Sequence, residues 1–115
     1  MAAPTVDGHF SDRSEKVRAL YDRLVSMTEQ FGPVEEDPKK TSIHLNRSTA
    51  FAGIAVRKDG LVLTIKSDRP IQSARLHKSE QTSAKRFHHE VKITKLGDLD
   101  AEIREWLRAA YELSA

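Results

Sequence analysis

The chain has no cysteine. That excludes disulfides, zinc–thiolate centres and cysteine nucleophiles, and it fits a reducing compartment. No apolar run approaches the roughly 18 residues needed to span a bilayer as a helix. A Gly-rich phosphate loop, a nucleophile elbow and a His-Glu-x-x-His helix are all missing, so the common nucleotide-dependent and hydrolytic classes have no motif here. Helix-turn-helix, RNP and zinc-finger patterns are absent as well. Aromatics make up only 6% of the 115 residues, and just Phe51 and Phe87 fall in strand-like stretches. Stacking of successive bases is therefore a poor fit, and nucleic-acid binding would have to rest on phosphate contacts. Residues 1–9 contain Pro4 and Gly8 without periodicity and lack the basic and apolar regions of a signal peptide. The expectation is a cytoplasmic protein with a mobile leader over residues 1–9 and one domain over residues 10–115.

What is present is an uneven distribution of charge. Residues 39–95 hold thirteen Lys and Arg against four acids, a formal +9; the rest holds six bases against thirteen acids, or −7. The overall +2 thus conceals a basic middle between acidic flanks.

The middle also carries the strand patterns. Ile43 and Leu45 alternate with Ser42, His44 and Asn46, which is the period-two signal of a half-buried strand. Phe51 to Arg57 follows, small on one face at Ala50, Ala52, Gly53 and Ala55. Asp59-Gly60 then marks a hairpin into Leu61–Lys66. In the last strand, Phe87, His89, Val91 and Ile93 alternate with Arg86, His88, Glu90 and Lys92. Val34–Asp37 reads as a short edge strand, and residues 71–85 as a short piece at Ile71–Leu76 followed by a loop. Helical spacing brackets this region. Val17, Leu20, Tyr21, Leu24, Val25, Thr28 and Phe31 form one stripe, capped by Ser11 or Asp12 and stopped by Gly32-Pro33. Leu99, Ile103, Trp106, Leu107, Ala110 and Tyr111 form the other, capped by Asp98 or Asp100. Asp100–Arg104 and Arg108–Glu112 stand at i,i+4 on it. The architecture implied is α+β: a four- or five-stranded antiparallel meander backed by an N-terminal and a C-terminal helix.

With both helices on one face, the other face is left to display polar side chains. Lys40, His44, Arg57, Lys66, Arg86, His88 and Lys92 are the candidate ligand-binding set, because clustered cations concentrate anions and arginine's fork matches phosphate or carboxylate oxygens. The partner class is a phosphorylated ligand, nucleic acid or an acidic protein surface. Lys and Arg also serve solubility and discourage edge pairing, and that plainer role stands beside the functional one. His88 and His89 are adjacent and must point to opposite faces; His44 and His88, joined by Glu90, are the pair that would have to converge on a metal. His89 shares its face with Phe87, Val91 and Ile93, so it reads as a hydrogen-bonded, semi-buried histidine. No pattern calls for a cofactor or a resident metal. The alternative enzymatic reading is a metal-dependent nuclease built on Glu90-x-Lys92 with Asp68 and Asp59. A third is an interaction module that dimerises through the Val34 edge strand or the small-residue strand.

Several spaced patterns carry a resemblance: Gly32-Pro33-Val34, Lys40-Thr-Ser-Ile-His44, Ala50-Phe-Ala-Gly53 with Arg57-Lys58, Phe87-His-His-Glu-Val-Lys-Ile93, and Asp98-Leu-Asp100 followed by Trp106-Leu107 and Ala110-Tyr111. Together they make the chain similar to a family of small bacterial domains of unknown function. Some members are labelled "predicted transport protein", and some lie C-terminal to nuclease-like domains. The resemblance implies an α+β domain and a bacterial source, and it brings no activity, substrate or catalytic residue. It directs attention to positions 40, 44, 57, 86, 88 and 89 as a shared surface.

Overall fold

A computed structural model describes residues 3–115. Met1 and Ala2, the start of the expected leader, lie outside the described residues. The leader contains one helical turn, α1 (Val6–His9), capped by Thr5, whose Oγ1 accepts from Gly8 N. Helix α2 spans Glu15–Glu29 and buries Val17, Leu20, Tyr21, Leu24, Val25, Met27 and Thr28. Its cap is Ser14, not Ser11 or Asp12, because residues 10–13 form a separate turn that places Phe10 in the core. Six strands follow: β1 (Glu35–Pro38), β2 (Ile43–Asn46), β3 (Ala50–Val56), β4 (Leu61–Ser67), β5 (Leu76–Ser83) and β6 (Arg86–Ile93). A 3-10 turn at Leu96–Asp98 leads to α3 (Ala101–Leu113), capped by Asp100.

The α+β class stands, but the sheet has six strands where four or five are expected, and it is not a simple meander. All pairings are antiparallel, in the order β1-β2-β3-β4-β6-β5. The sixth strand is β5, in the stretch expected to be a loop over residues 78–83. Only Leu76 in it is even half buried, so it has no apolar alternation to betray it. It forms because its backbone completes the hydrogen bonds of β6. The β4–β5 connection therefore passes over the position that β6 later fills.

One sheet face is dry. Ile43, Leu45, Ala52, Ile54, Val56, Leu61, Leu63, Ile65, Val91 and Ile93 line it, and α2 and α3 cover it. Three expected core residues are only half buried: Phe31 and Trp106, which pack against the buried cluster, and Phe87, which stacks on the His89 ring at 6.0 Å. The core is closed by hydroxyls at its margins: Tyr21 donates to Glu36 Oε1 at 2.6 Å and Tyr111 donates to the Pro33 carbonyl at 2.9 Å. The Tyr111 ring meets Phe51 edge-on at 5.3 Å, with the Arg47 guanidinium over it at 4.4 Å. Gly32 makes this junction possible: its φ of +146° favours glycine, and a Cβ there would collide with the Tyr111 hydroxyl. Among the described residues, no helix is long and apolar enough to cross a membrane.

Asp59-Gly60 marks a hairpin as expected, yet Gly60 is needed for another reason. The turn centres on Lys58-Asp59, closed by Arg57 N donating to Gly60 O at 2.9 Å, and Gly60 has no positive φ. A Cβ at Gly60 would instead clash with the Ile93 carbonyl of β6. Gly60→Ala is expected to lower stability by about 1–3 kcal/mol, since a backbone neighbour cannot yield as a side chain can. Gly97→Ala, where an added methyl meets nothing within 4 Å, is the control and should stay within about 0.5 kcal/mol. Urea midpoints at unchanged slope measure both.

Candidate functional site

The open face is set by the parity of the strands. His44 and Asn46 come from β2, Gly53 and Ala55 from β3, Val62, Thr64 and Lys66 from β4, and His88, Glu90 and Lys92 from β6. Cross-strand register aligns Asp37, His44, Gly53, Thr64, Glu90 and Lys78 in a single row. Two edge strands thus bring acids to the same surface: Glu35 and Asp37 from β1, and Glu80 from β5. A window beginning at residue 39 leaves the first two out. The face is consequently mixed in sign, with its β1 margin acidic.

That margin is locally satisfied. Asp37 accepts from Lys39 at 2.9 Å, and this bond holds its carboxyl below the usual value. Asn46 Nδ2 reaches both Glu35 and Asp37 at 3.4 Å. His44 stands opposite Asp37, so its immediate neighbour is a carboxylate. Pairing β1 with a second copy would set Glu35, Glu36 and Asp37 against like charges. The small-residue strand β3 is interior to the sheet, paired on both sides, and offers no edge.

The seven candidate residues fall into separate places. His44, Lys66 and His88 border a shallow depression of about 210 Å³ floored by Gly53 and Ala55. Arg57 and Lys92 line a larger groove of about 530 Å³ at the β3–β4 turn, together with Lys58, Asp59, His77 and Glu90. Lys40 borders a hollow with Thr5, Gly8 and His9 near the N-terminus. Arg86 projects from the β5–β6 hairpin, where its side chain donates to the Lys85 carbonyl at 3.0 Å and, among the described residues, forms no ion pair. Lys58 and His77 are the groove residues that sequence reasoning missed. Lys58 lies in the β3–β4 turn, and His77 sits in the polar stretch that conceals β5.

Two proposed constellations do not assemble. His44 and His88 are separated by β3 and β4, three strand spacings or about 14 Å, which is too far to share one ion. Asp59 and Asp68 flank β4 at its opposite ends, so they cannot serve one centre; Asp68 is engaged by Arg69 at 3.0 Å. Among the described residues, no three His, Asp or Glu side chains gather closely enough to hold a metal ion. His89 is fully buried, beyond the semi-burial expected, and both ring nitrogens are partnered: Ser79 Oγ lies 2.8 Å from Nδ1 and the Arg69 carbonyl 3.2 Å from Nε2. A carbonyl only accepts, so Nε2 carries the proton and Ser79 donates to Nδ1.

Part of the basic middle is structural. Arg75 donates to Asp100 at 2.8 Å, to Glu102 at 3.2 Å and to the Asp98 carbonyl at 2.7 Å, tying the β4–β5 connection to the start of α3. Asp100 therefore pairs with Arg75, while Arg104 of the expected i,i+4 pair lies over the Phe31 ring at 5.5 Å. Arg108–Glu112 does form, at 3.6 Å.

The class defined by these features is a small α+β domain with a six-stranded antiparallel sheet, two helices on one face and shallow grooves on the other. The chain belongs to the family described as "Domain of unknown function (DUF5655)", whose profile matches residues 6–114. No curated protein and no solved structure matches it.

The Arg75 junction has a consequence for acid stability. Arg75, then the Ile103 N–H, hold the Asp100 carboxyl below its ordinary 3.8. Burial pushes Asp98 up, but donors from Thr94 and Lys95 outweigh it and hold it below 3.8 as well. Carboxyls depressed in the folded state stabilise fully above the unfolded pKa and lose that contribution as pH falls through the folded value. Stability should therefore fall below pH 3.8, and the Asp98→Asn/Asp100→Asn double variant should show a shallower fall in a urea-midpoint profile against pH.

Proposed function

We propose that this domain binds a phosphorylated small molecule in the groove at the β3–β4 turn. The observation that carries the reading is the convergence there of Arg57, Lys58 and Lys92, none of which forms an ion pair among the described residues. Among the described residues Arg18, Lys39, Arg69, Arg75 and Arg108 do form ion pairs; what sets the groove apart is three unpaired cations in one lining. Arg57 supplies a planar fork and the lysines supply point charges, a combination suited to phosphate oxygens. Asp59 and Glu90 in the same lining would repel phosphate but accept hydrogen bonds from hydroxyls. A polyol phosphate answers both halves of the lining. The volume, about 530 Å³, suits a small ligand better than a long nucleic-acid strand. His44, Lys66 and His88 form a weaker second contact area, and Lys40 and Arg86 stand apart from both.

A second reading keeps the nuclease-like chemistry. It is supported by Asp59, Glu90 and Lys92 lining one groove. Asp68 has no part in it.

Thermal unfolding with ribose 5-phosphate, inorganic pyrophosphate, ribose and Mn²⁺ separates the readings. A ligand at about 100 times its dissociation constant stabilises the fold by about 2.7 kcal/mol. We expect ribose 5-phosphate to raise Tm more than ribose, with the shift reduced by salt and lost in Arg57→Ala/Lys92→Ala. An undiminished shift in that double variant would refute the groove. A Mn²⁺ shift lost in both Asp59→Asn and Glu90→Gln would favour the second reading.

A further inference from the structure

Arg47, Arg104 and Arg108 line one hollow of about 390 Å³, together with Phe31, Tyr111 and Glu112. It lies where the end of α2 meets α3 and the β2–β3 turn. Helical spacing puts Arg104, Arg108, Tyr111 and Glu112 on one stripe of α3. Two of the guanidiniums are seated on aromatic rings. The Arg47 guanidinium carbon lies 4.4 Å from the Tyr111 ring centre and that of Arg104 lies 5.5 Å from the Phe31 ring centre; the two rings are 5.8 Å apart. These distances place both cationic heads at rings that line the hollow. Arg47 uses one N–H on the Tyr111 carbonyl at 3.1 Å. Neither Arg47 nor Arg104 forms an ion pair among the described residues. Arg108 reaches Glu112 at 3.6 Å, a long contact between exposed side chains that holds them weakly. The lining thus sets three arginines against one acid.

The plainer role of these arginines is to complement the negative C-terminal ends of α2 and α3. The bond from Arg47 to a carbonyl in the last turn of α3 meets that need, and it uses one N–H of a group that has several. We propose that the hollow binds a small aliphatic dicarboxylate, one carboxylate on Arg47 and the other on Arg104, with Arg108 adding positive charge at the margin. A guanidinium seated over a ring face is held in place without using its N–H groups, so its fork stays available to a carboxylate. Bidentate guanidinium–carboxylate pairs are the geometrically specific form of charge-assisted hydrogen bond. Two cations held on separate rings suit two separated carboxylates better than one tetrahedral ion. The volume agrees: a water's share of liquid is about 30 Å³, so about 390 Å³ is more than a lone phosphate or acetate fills. The hollow shares no lining residue with the groove at Arg57, Lys58 and Lys92, and it does not rest on that reading.

The whole chain is titrated by calorimetry at neutral pH and low salt with malonate, succinate, glutarate and adipate, and with butyrate and inorganic phosphate alongside. Saturable binding is expected with one chain length preferred, because guanidiniums held on rings present a fixed separation. The preferred dicarboxylate should bind about tenfold or more tighter than butyrate or phosphate, since it alone makes the second charge-assisted pair. Arg104→Met keeps an apolar stem over Phe31 and removes the fork. It should bring the preferred dicarboxylate down to the level of butyrate in a chain that still unfolds cooperatively. Arg104→Lys keeps the charge and should weaken binding too, because a point charge does not reproduce the fork. Arg47→Met should give the same loss, but it also removes the bond to the Tyr111 carbonyl, so Arg104 is the decisive position. Arg57→Ala/Lys92→Ala should leave the titrations unchanged, which keeps failure here distinct from failure of the phosphate groove. The proposal is overturned if no dicarboxylate saturates at millimolar concentration, if butyrate or phosphate binds as tightly as the best dicarboxylate, or if a folded Arg104→Met variant binds as wild type does.

Discussion

Everything in this fold depends on keeping one face of a six-stranded sheet dry with only two substantial helices. The central strand β4 shows the constraint most clearly: Leu61, Leu63 and Ile65 are essentially inaccessible, while Val62, Thr64 and Lys66 between them are not. Removing that apolar row from water is the main favourable term, at roughly 25 cal/mol per Å² of apolar area. It can be realised only if α2 and α3 both lie on the same side. The opposite face is then left without a cover, and its shallow grooves follow from the small side chains of β3 and from the turns at the ends of β4.

Charge follows the same geometry. A count along the chain credits residues 39–95 with a strong positive balance. A count over the surface mixes that stretch with β1, whose acids share the open face, and with Arg75, whose charge is consumed at the start of α3. Cations without an assigned partner, such as Arg57, Lys58, Lys66 and Lys92, are fewer than the count suggests. They are also distributed among distinct grooves and not spread as a continuous field. Screening over about 8 Å at physiological salt makes that local arrangement decisive.

The legible parts of the fold were those where packing writes a period into the side chains. Strands β2, β4 and β6 alternate cleanly, and α2 and α3 each carry one apolar stripe. Strand β5 was illegible because Leu-His-Lys-Ser-Glu-Gln-Thr-Ser buries almost nothing; backbone bonding to β6 alone explains it. Strand order was illegible for the same reason, since it turns on where β5 goes. In the candidate site, Arg57 and Lys92 could be picked from pattern. Their joining with Lys58 and His77 needed the turn and the hidden strand in place. Trp106 looked like core because its spacing is that of core, and spacing does not reveal where a helix overhangs the sheet.

Tyr111 ties α3 to the segment that follows α2 and to the start of β3. Its hydroxyl bonds the Pro33 carbonyl, its ring touches Phe51 and Phe31, and its carbonyl accepts from Arg47, while the Ser114 carbonyl accepts from Ser48 N. These contacts span 60 or more residues of sequence, so each requires a large loop to close before it contributes. A nascent chain can form α2 and the β3–β4 hairpin from local contacts, but it cannot seal this junction until the last helix has been made. The order of synthesis therefore leaves the part of the apolar face that α3 covers exposed until α3 is made.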